Sequence, residues 1–143
     1  MAVKQFRLET ANVSGKLSNL SDILGKHGVN IRAISVGQAS TAEVSSICIV
    51  VDDPKKAKNA LTSEKTEFQE IGVLAVEMPD HPGGMNAVLK PLRDAKINVI
   101  TMYPYIGRAS NPVMILEVDD IATATNVLKR NWVKLWDKEI YRL

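Results

Sequence analysis

The feature that most constrains this chain is that it is written twice. NVSGKL at 12–17 and DHPGGM at 80–85 each close an alternating apolar run and open a helical one, and each leads to an apolar-Asn-apolar triplet, VNI at 29–31 and INV at 97–99. One constant shift pairs Asn12 with Asp80, Gly15 with Gly83, Leu17 with Met85, Leu24 with Leu92 and Asn30 with Asn98. The match resumes one residue shorter downstream, where ICIVVDDPKKAKNAL at 47–61 lies over MILEVDDIATATNVL at 114–128. A fixed internal period means a unit repeated in space, so any functional site is expected in duplicate.

Half of 143 residues is a small unit. Such a unit buries only about 60% of its unfolded surface, so the repeats, 1–71 and 72–143, are expected to lean on each other. Hydrophobic content of 45% with 24% charged residues fits a globular protein, and a net charge of +2 argues against an extended nucleic-acid surface. The N-terminal ten residues lack the apolar stretch of a signal peptide and no run is long enough to span a membrane, so no membrane association and a cytoplasmic address are expected. Cys48, the sole cysteine, excludes an intramolecular disulfide and any CxxC motif, and its apolar neighbours predict simple burial.

Periodicity predicts a strand over 3–9, a helix from Leu17 stopped by Gly28, strands over 31–36 and 44–51, a helix behind Asp52-Asp53-Pro54, and a strand over 68–71 almost continuous with the next over 73–78. The second half repeats the order: helix 84–95, strands 99–105 and 113–118, helix 121–130, strand 133–136. Each unit is therefore βαββαβ, an α+β fold with a 4-1-3-2 sheet. Pro91 is expected to kink its helix, and Pro104 is tolerable because the second strand of such a sheet is an edge.

That topology serves many functions, so the site must decide. RNA-recognition domains stack bases on third-strand aromatics, which SSICIVV and VMILEV lack. Metal carriers of this shape need paired cysteines, and a phosphate-cradling hydrolase loop needs an arginine that neither NVSGK nor DHPGG provides. His27 and His81 occupy different parts of their units and read as surface residues without convergent partners; no metal site, cofactor or catalytic residue is predicted. The pairs Asp52-Asp53 and Asp119-Asp120 stand directly before helices, where capping explains them.

Asn12-x-Ser14-Gly15-x-Leu17 leading to Gly28-Val29-Asn30-Ile31, and Asp80-x-Pro82-Gly83-x-Met85 leading to Ile97-Asn98-Val99, resemble the ACT domain, a family of amino-acid-sensing modules. With both VDD-helix segments the resemblance covers about 3–136, and the chain is similar to a free-standing tandem ACT protein with no enzyme domain attached. The resemblance implies two ferredoxin-like repeats, antiparallel sheets with helices on one face, set side by side as one eight-stranded sheet, and a small amino acid bound at their junction. It also implies that the loop of Asn12, Ser14, Gly15, Lys16 and Leu17 meets Asn98 and Val99 of the other repeat. The loop of Asp80, Pro82, Gly83, Gly84 and Met85 would likewise meet Asn30 and Ile31. A homodimer and a partner metabolic enzyme or regulator are further expectations.

The residue types suit that task. A helix N-terminus presents free N–H groups and positive potential to a carboxylate, glycine admits close approach, and an asparagine side chain offers an acceptor to an ammonium and a donor to a carboxylate. The plainer alternative stays open: Asn12 and Asp80 cap helices, the glycines permit turns, Asn30 and Asn98 shape bends, and the module is a ligand-free oligomerisation or enzyme-partner unit. Tyr103 and Tyr105, sharing a face, pack either a ligand or the domain junction. Trp132 and Trp136 anchor the last strand and tail or form a subunit contact.

Overall fold

The computed structural model describes residues 3–143. The chain resolves into two compact units, Lys4–Ile71 and, together with Val3, Gly72–Leu143. In the first, β1 (Val3–Ala11), α1 (Lys16–Lys26), β2 (Ile31–Gln38), β3 (Val44–Val51) and α2 (Pro54–Ser63) follow in order. β3 lies between β1 and β2, antiparallel to both, with Phe6 opposite Ile49 and Ile34 also opposite Ile49. The second unit contains most of β4 (Gln69–Glu77), then α3 (Asn86–Asp94), β5 (Val99–Pro104), β6 (Val113–Val118), α4 (Ile121–Arg130) and β7 (Leu135–Trp136). Its pairings, all antiparallel, give the order β7-β4-β6-β5, the expected 4-1-3-2 arrangement.

Among the described residues, the expected eight strands become seven. Residues 69–71 and 73–77 form one uninterrupted strand, because Gly72 between two β-rich runs does not interrupt the extended backbone. The last strand is also shorter than predicted, since Trp132 and Val133 belong to the turn that ends α4.

Alternation places the helices of each unit on one face of its sheet. Phe6, Leu8, Ile47, Ile49 and Val51 meet Leu20 and Leu24 of α1 and Ala57, Ala60 and Leu61 of α2. In the second unit, Leu74, Val76, Met78 and Leu116 meet Val88 and Leu92 of α3 and Ala124, Val127 and Leu128 of α4. Phe6 and Phe68 add an edge-to-face pair at 5.4 Å. Cys48 is buried, as its neighbours predict.

The helix ends are uniform. After α1, α2, α3 and α4 come Gly28, Lys65, Lys96 and Trp132, all with positive φ, from 54° to 73°. The next residue in each case returns its N–H to a carbonyl of the last turn: Val29 to Leu24, Thr66 to Leu61, Ile97 to Leu92 and Val133 to Leu128, at 2.9 to 3.0 Å. These are Schellman closures, predicted by glycine at only one of the four positions. Pro91 lies inside α3, where the Ala95 N–H still reaches the Pro91 carbonyl at 3.1 Å. Pro104 closes an edge strand opposite Met114, where its missing N–H is tolerated.

A duplicated candidate ligand site

The loop before α1 ends on Gly15, the helix N-cap, at φ 92°, and no side chain caps the helix. Asn12 is therefore not a cap. Its backbone N–H donates to Glu43 O at 2.8 Å and its side-chain Nδ2 to Ala42 O at 3.0 Å, fixing the loop to the β2–β3 connection. The Asn12 amide oxygen has no hydrogen bond among the described residues, and the residue is exposed. Asp80 at the equivalent point is exposed, and α3 too lacks a side-chain cap. Ser14 and Pro82 are both exposed.

Gly83 at φ 81° reproduces Gly15, and a Cβ on either would meet nothing within 4 Å. Both backbones thus face open space in a conformation L side chains rarely adopt. Gly84 differs: a Cβ there would strike the Pro79 carbonyl, because the Gly84 N–H turns back to His81 O at 2.9 Å. That tight turn delays the helix to Asn86, two residues beyond the expected start. Lys16 opens α1 and is exposed, while Leu17 and Met85 leave 41% and 44% of their surface to solvent at equivalent positions.

At the other end of each unit stand Asn30 and Asn98. The Asn30 N–H donates to Asp52 Oδ1 at 2.9 Å, and the Asp52 N–H returns to Asn30 O at 3.0 Å. Asn98 and Asp119 repeat this at 3.1 and 3.2 Å. The second aspartates do the capping: Asp53 Oδ1 accepts from Lys56 N and Asp120 Oδ1 from Thr123 N, each at 3.1 Å. Each VDD pair thus divides its labour, where the sequence suggested capping alone. The Thr123 hydrogen bonds, side-chain first and then backbone, hold the Asp120 carboxyl below the usual aspartate range.

The half-buried Ile31 and Val99 follow, and just beyond each the strand bulges: Ile31 pairs with Val51 but Ala33 with Val50, and Val99 with Val118 but Thr101 with Glu117. Arg32 and Ile100 are the extra residues, one shift apart. The side chains of Asn30 and Asn98 are exposed and make no hydrogen bond among the described residues. Neither has positive φ. The backbone therefore places no evident demand for asparagine at either position.

Within one unit these two parts are kept apart. Asn12 abuts the start of β3 through Glu43, and Asn30 abuts its end through Asp52. The eight residues between correspond to about 26 Å of strand. In the second unit, Met78 binds Pro112 before β6 and Asn98 binds Asp119 after it. No single repeat brings its own loop and its own asparagine together.

The remaining predicted residues are resolved as follows. Tyr103 and Tyr105 are buried, and the Tyr105 hydroxyl donates to Ile140 O at 2.7 Å, securing a short 3-10 helix, Lys138–Arg142. Trp136 is anchored as expected, donating from Nε1 to Glu77 Oε1 at 3.1 Å beneath the Lys134 ammonium. Trp132 contradicts the anchoring expectation: it is 95% exposed, because the Schellman closure turns it outward. His27 and His81 are exposed and each Nδ1 donates to a nearby carbonyl, of Ile23 and Pro82. Among the described residues, no three of His, Cys, Asp and Glu form a metal-holding group, and no helix is long and apolar enough to cross a membrane.

One feature escaped the sequence reading. Between the first strand, the first helix and the turn after the second helix, each unit has a cleft, of about 400 Å³ beside Glu9, Lys16 and Asn19 and about 530 Å³ beside Glu77, Asp80 and Ala87. Only the second has tryptophan at its rim.

The fold defines a tandem βαββαβ module with an open glycine loop and a clamped asparagine in each repeat. The chain belongs to the family described as ACT domain pair, which it matches over residues 1–142. Among solved structures it is similar to a protein of Bacteroides thetaiotaomicron, with a TM-score of 0.89, 24% identity and coverage of 100% of this chain and 98% of that one. It is also similar to the aspartokinase alpha and beta subunits, TM-score 0.59, 13% identity, 90% and 91% covered. The ligand-free regulatory subunit of aspartate kinase from Thermus thermophilus gives 0.59, 12%, 90% and 91%. No curated protein matches the sequence.

Proposed function

We propose that this protein is a non-catalytic regulatory module, its two ACT-like repeats 1–71 and 72–143, that binds a small amino acid at their junction and transmits its presence to a partner enzyme or regulator. The observation that carries the reading is the pair Asn30 and Asn98: twice, in equivalent places, an asparagine side chain stands exposed and unbonded while its own backbone polar groups are satisfied. Asparagine supplies both the acceptor and the donor that a zwitterion requires. The open backbone at Gly15 and Gly83, beside helix N-termini without side-chain caps, suits the carboxylate. The likeness to a regulatory subunit of aspartate kinase supports a regulatory role.

Because loop and asparagine of one repeat lie at opposite ends of it, each ligand takes its loop from one repeat and its asparagine from another. In this reading Asn12 and Gly15 serve with Asn98, and Asp80 and Gly83 with Asn30. Asp80 faces the ammonium end of the ligand, since it repels a carboxylate. The module works as a cytoplasmic homodimer. Isothermal titration of the full chain against the common amino acids tests it: one or a few give saturable heat, and Asn98→Ala removes the share of that heat contributed by the Asn12 side. Uniform absence of heat and of thermal shift leaves the ligand-free oligomerisation module as the reading.

A further inference from the structure

The first aspartate of each VDD pair is explained neither by capping nor by ligand contact. Asp53 and Asp120 already cap α2 and α4. Asp52 and Asp119 instead reach back 22 and 21 residues to close a two-bond ring with the peptide groups of Asn30 and Asn98. We infer that Asp52 and Asp119 are positioning residues of the amino-acid site, which hold the asparagine backbone so that its side chain projects away from the unit at a fixed angle.

Three observations converge. The ring occurs twice with the same atoms and nearly the same lengths, 2.9 and 3.0 Å against 3.1 and 3.2 Å. It sits directly before a bulge that also occurs twice, at Arg32 and Ile100. A bulge re-aims the residues around it, and the clamp fixes the backbone directly before it. The ring also satisfies the N–H and the carbonyl of the asparagine, so its side chain is not needed to satisfy either group. Preorganisation of this kind acts on affinity by reducing what must be ordered on binding.

The inference rests on the amino-acid reading above, and the neighbouring aspartates supply the control. Asp119→Ala and Asp120→Ala each remove one carboxylate and one backbone hydrogen bond within a residue of each other. The full chain and each variant are titrated calorimetrically with whichever amino acid gives heat with the unaltered protein, and each is melted without ligand. Asp119→Ala is expected to weaken binding tenfold or more. Asp120→Ala lowers the melting temperature but leaves affinity within twofold. Asp119→Asn, which keeps Oδ1 as an acceptor, recovers most of the affinity. The corresponding changes at Asp52 and Asp53 act in the same way on the site served by Asn30. Equal affinity in Asp119→Ala and the unaltered protein, or equal loss in Asp120→Ala, overturns the positioning role while leaving the amino-acid reading intact. If no amino acid binds the unaltered protein, that reading fails first and the positioning role falls with it.

Discussion

The peptide groups of Asn30 and Asn98 are satisfied by Asp52 and Asp119, whereas their side chains bond nothing among the described residues. Truncation at these positions should therefore be nearly silent for folding. Asn30→Ala and Asn98→Ala are each expected to change stability by less than about 0.5 kcal/mol in urea denaturation, while each removes one of the calorimetric binding events. Trp132 makes the opposite point. It holds a left-handed backbone that costs an L-residue roughly 1–2 kcal/mol, with its ring in solvent. Trp132→Gly should raise stability by about 1 kcal/mol. Gly84→Ala should do the reverse by about 2 kcal/mol or more, since its Cβ runs into the Pro79 carbonyl, a backbone atom that cannot swing aside.

At the scale of the element, each helix depends on a few buried side chains, and α2 and α4 also on one aspartate cap each. Leu61 of α2 and Leu128 of α4 are buried completely at equivalent places, so alanine at either should cost about 2–5 kcal/mol. The α4 cap adds a pH dependence whose sign follows from the shift. Asp120 has a lower pKa folded than unfolded, so its contribution is fully present above the ordinary aspartate value of about 3.9 and is lost as pH falls through the depressed folded value. Asp120→Ala should flatten the acid limb of a stability profile measured below about pH 4, leaving its shape near neutrality unchanged.

Across the whole molecule, a ligand that binds only the folded chain must stabilise it by mass action. The effective amino acid at a hundred times its dissociation constant should add about 2.7 kcal/mol per site, read as a rise in melting temperature. Asn98→Ala should remove the share contributed by the Asn12 side, and a melting temperature unmoved by any amino acid would count directly against the sensor.

The elements themselves were legible because hydrophobic period and punctuation are local. β3 falls at 44–51 as the β-branched run predicts, Gly28 ends α1, and Asp53-Pro54 starts α2. The twin loops and asparagines were visible for the same reason, as a pattern shifted along one dimension. What stayed hidden depended on contacts between residues distant in the chain or on backbone states that the local sequence does not require. Lys65, Lys96 and Trp132 adopt the left-handed cap that only Gly28 advertised. Asn12 looked like a cap, yet its amide is taken by Ala42, 30 residues away. The clamp by Asp52 and Asp119 closes across more than 20 residues, so nothing adjacent to either aspartate announced it. The sequence by itself determined a doubled α+β unit and where its chemistry clusters, since those follow from periodicity. Only the tertiary structure decided which polar groups are satisfied and which are left exposed, because a hydrogen bond is settled by position in space.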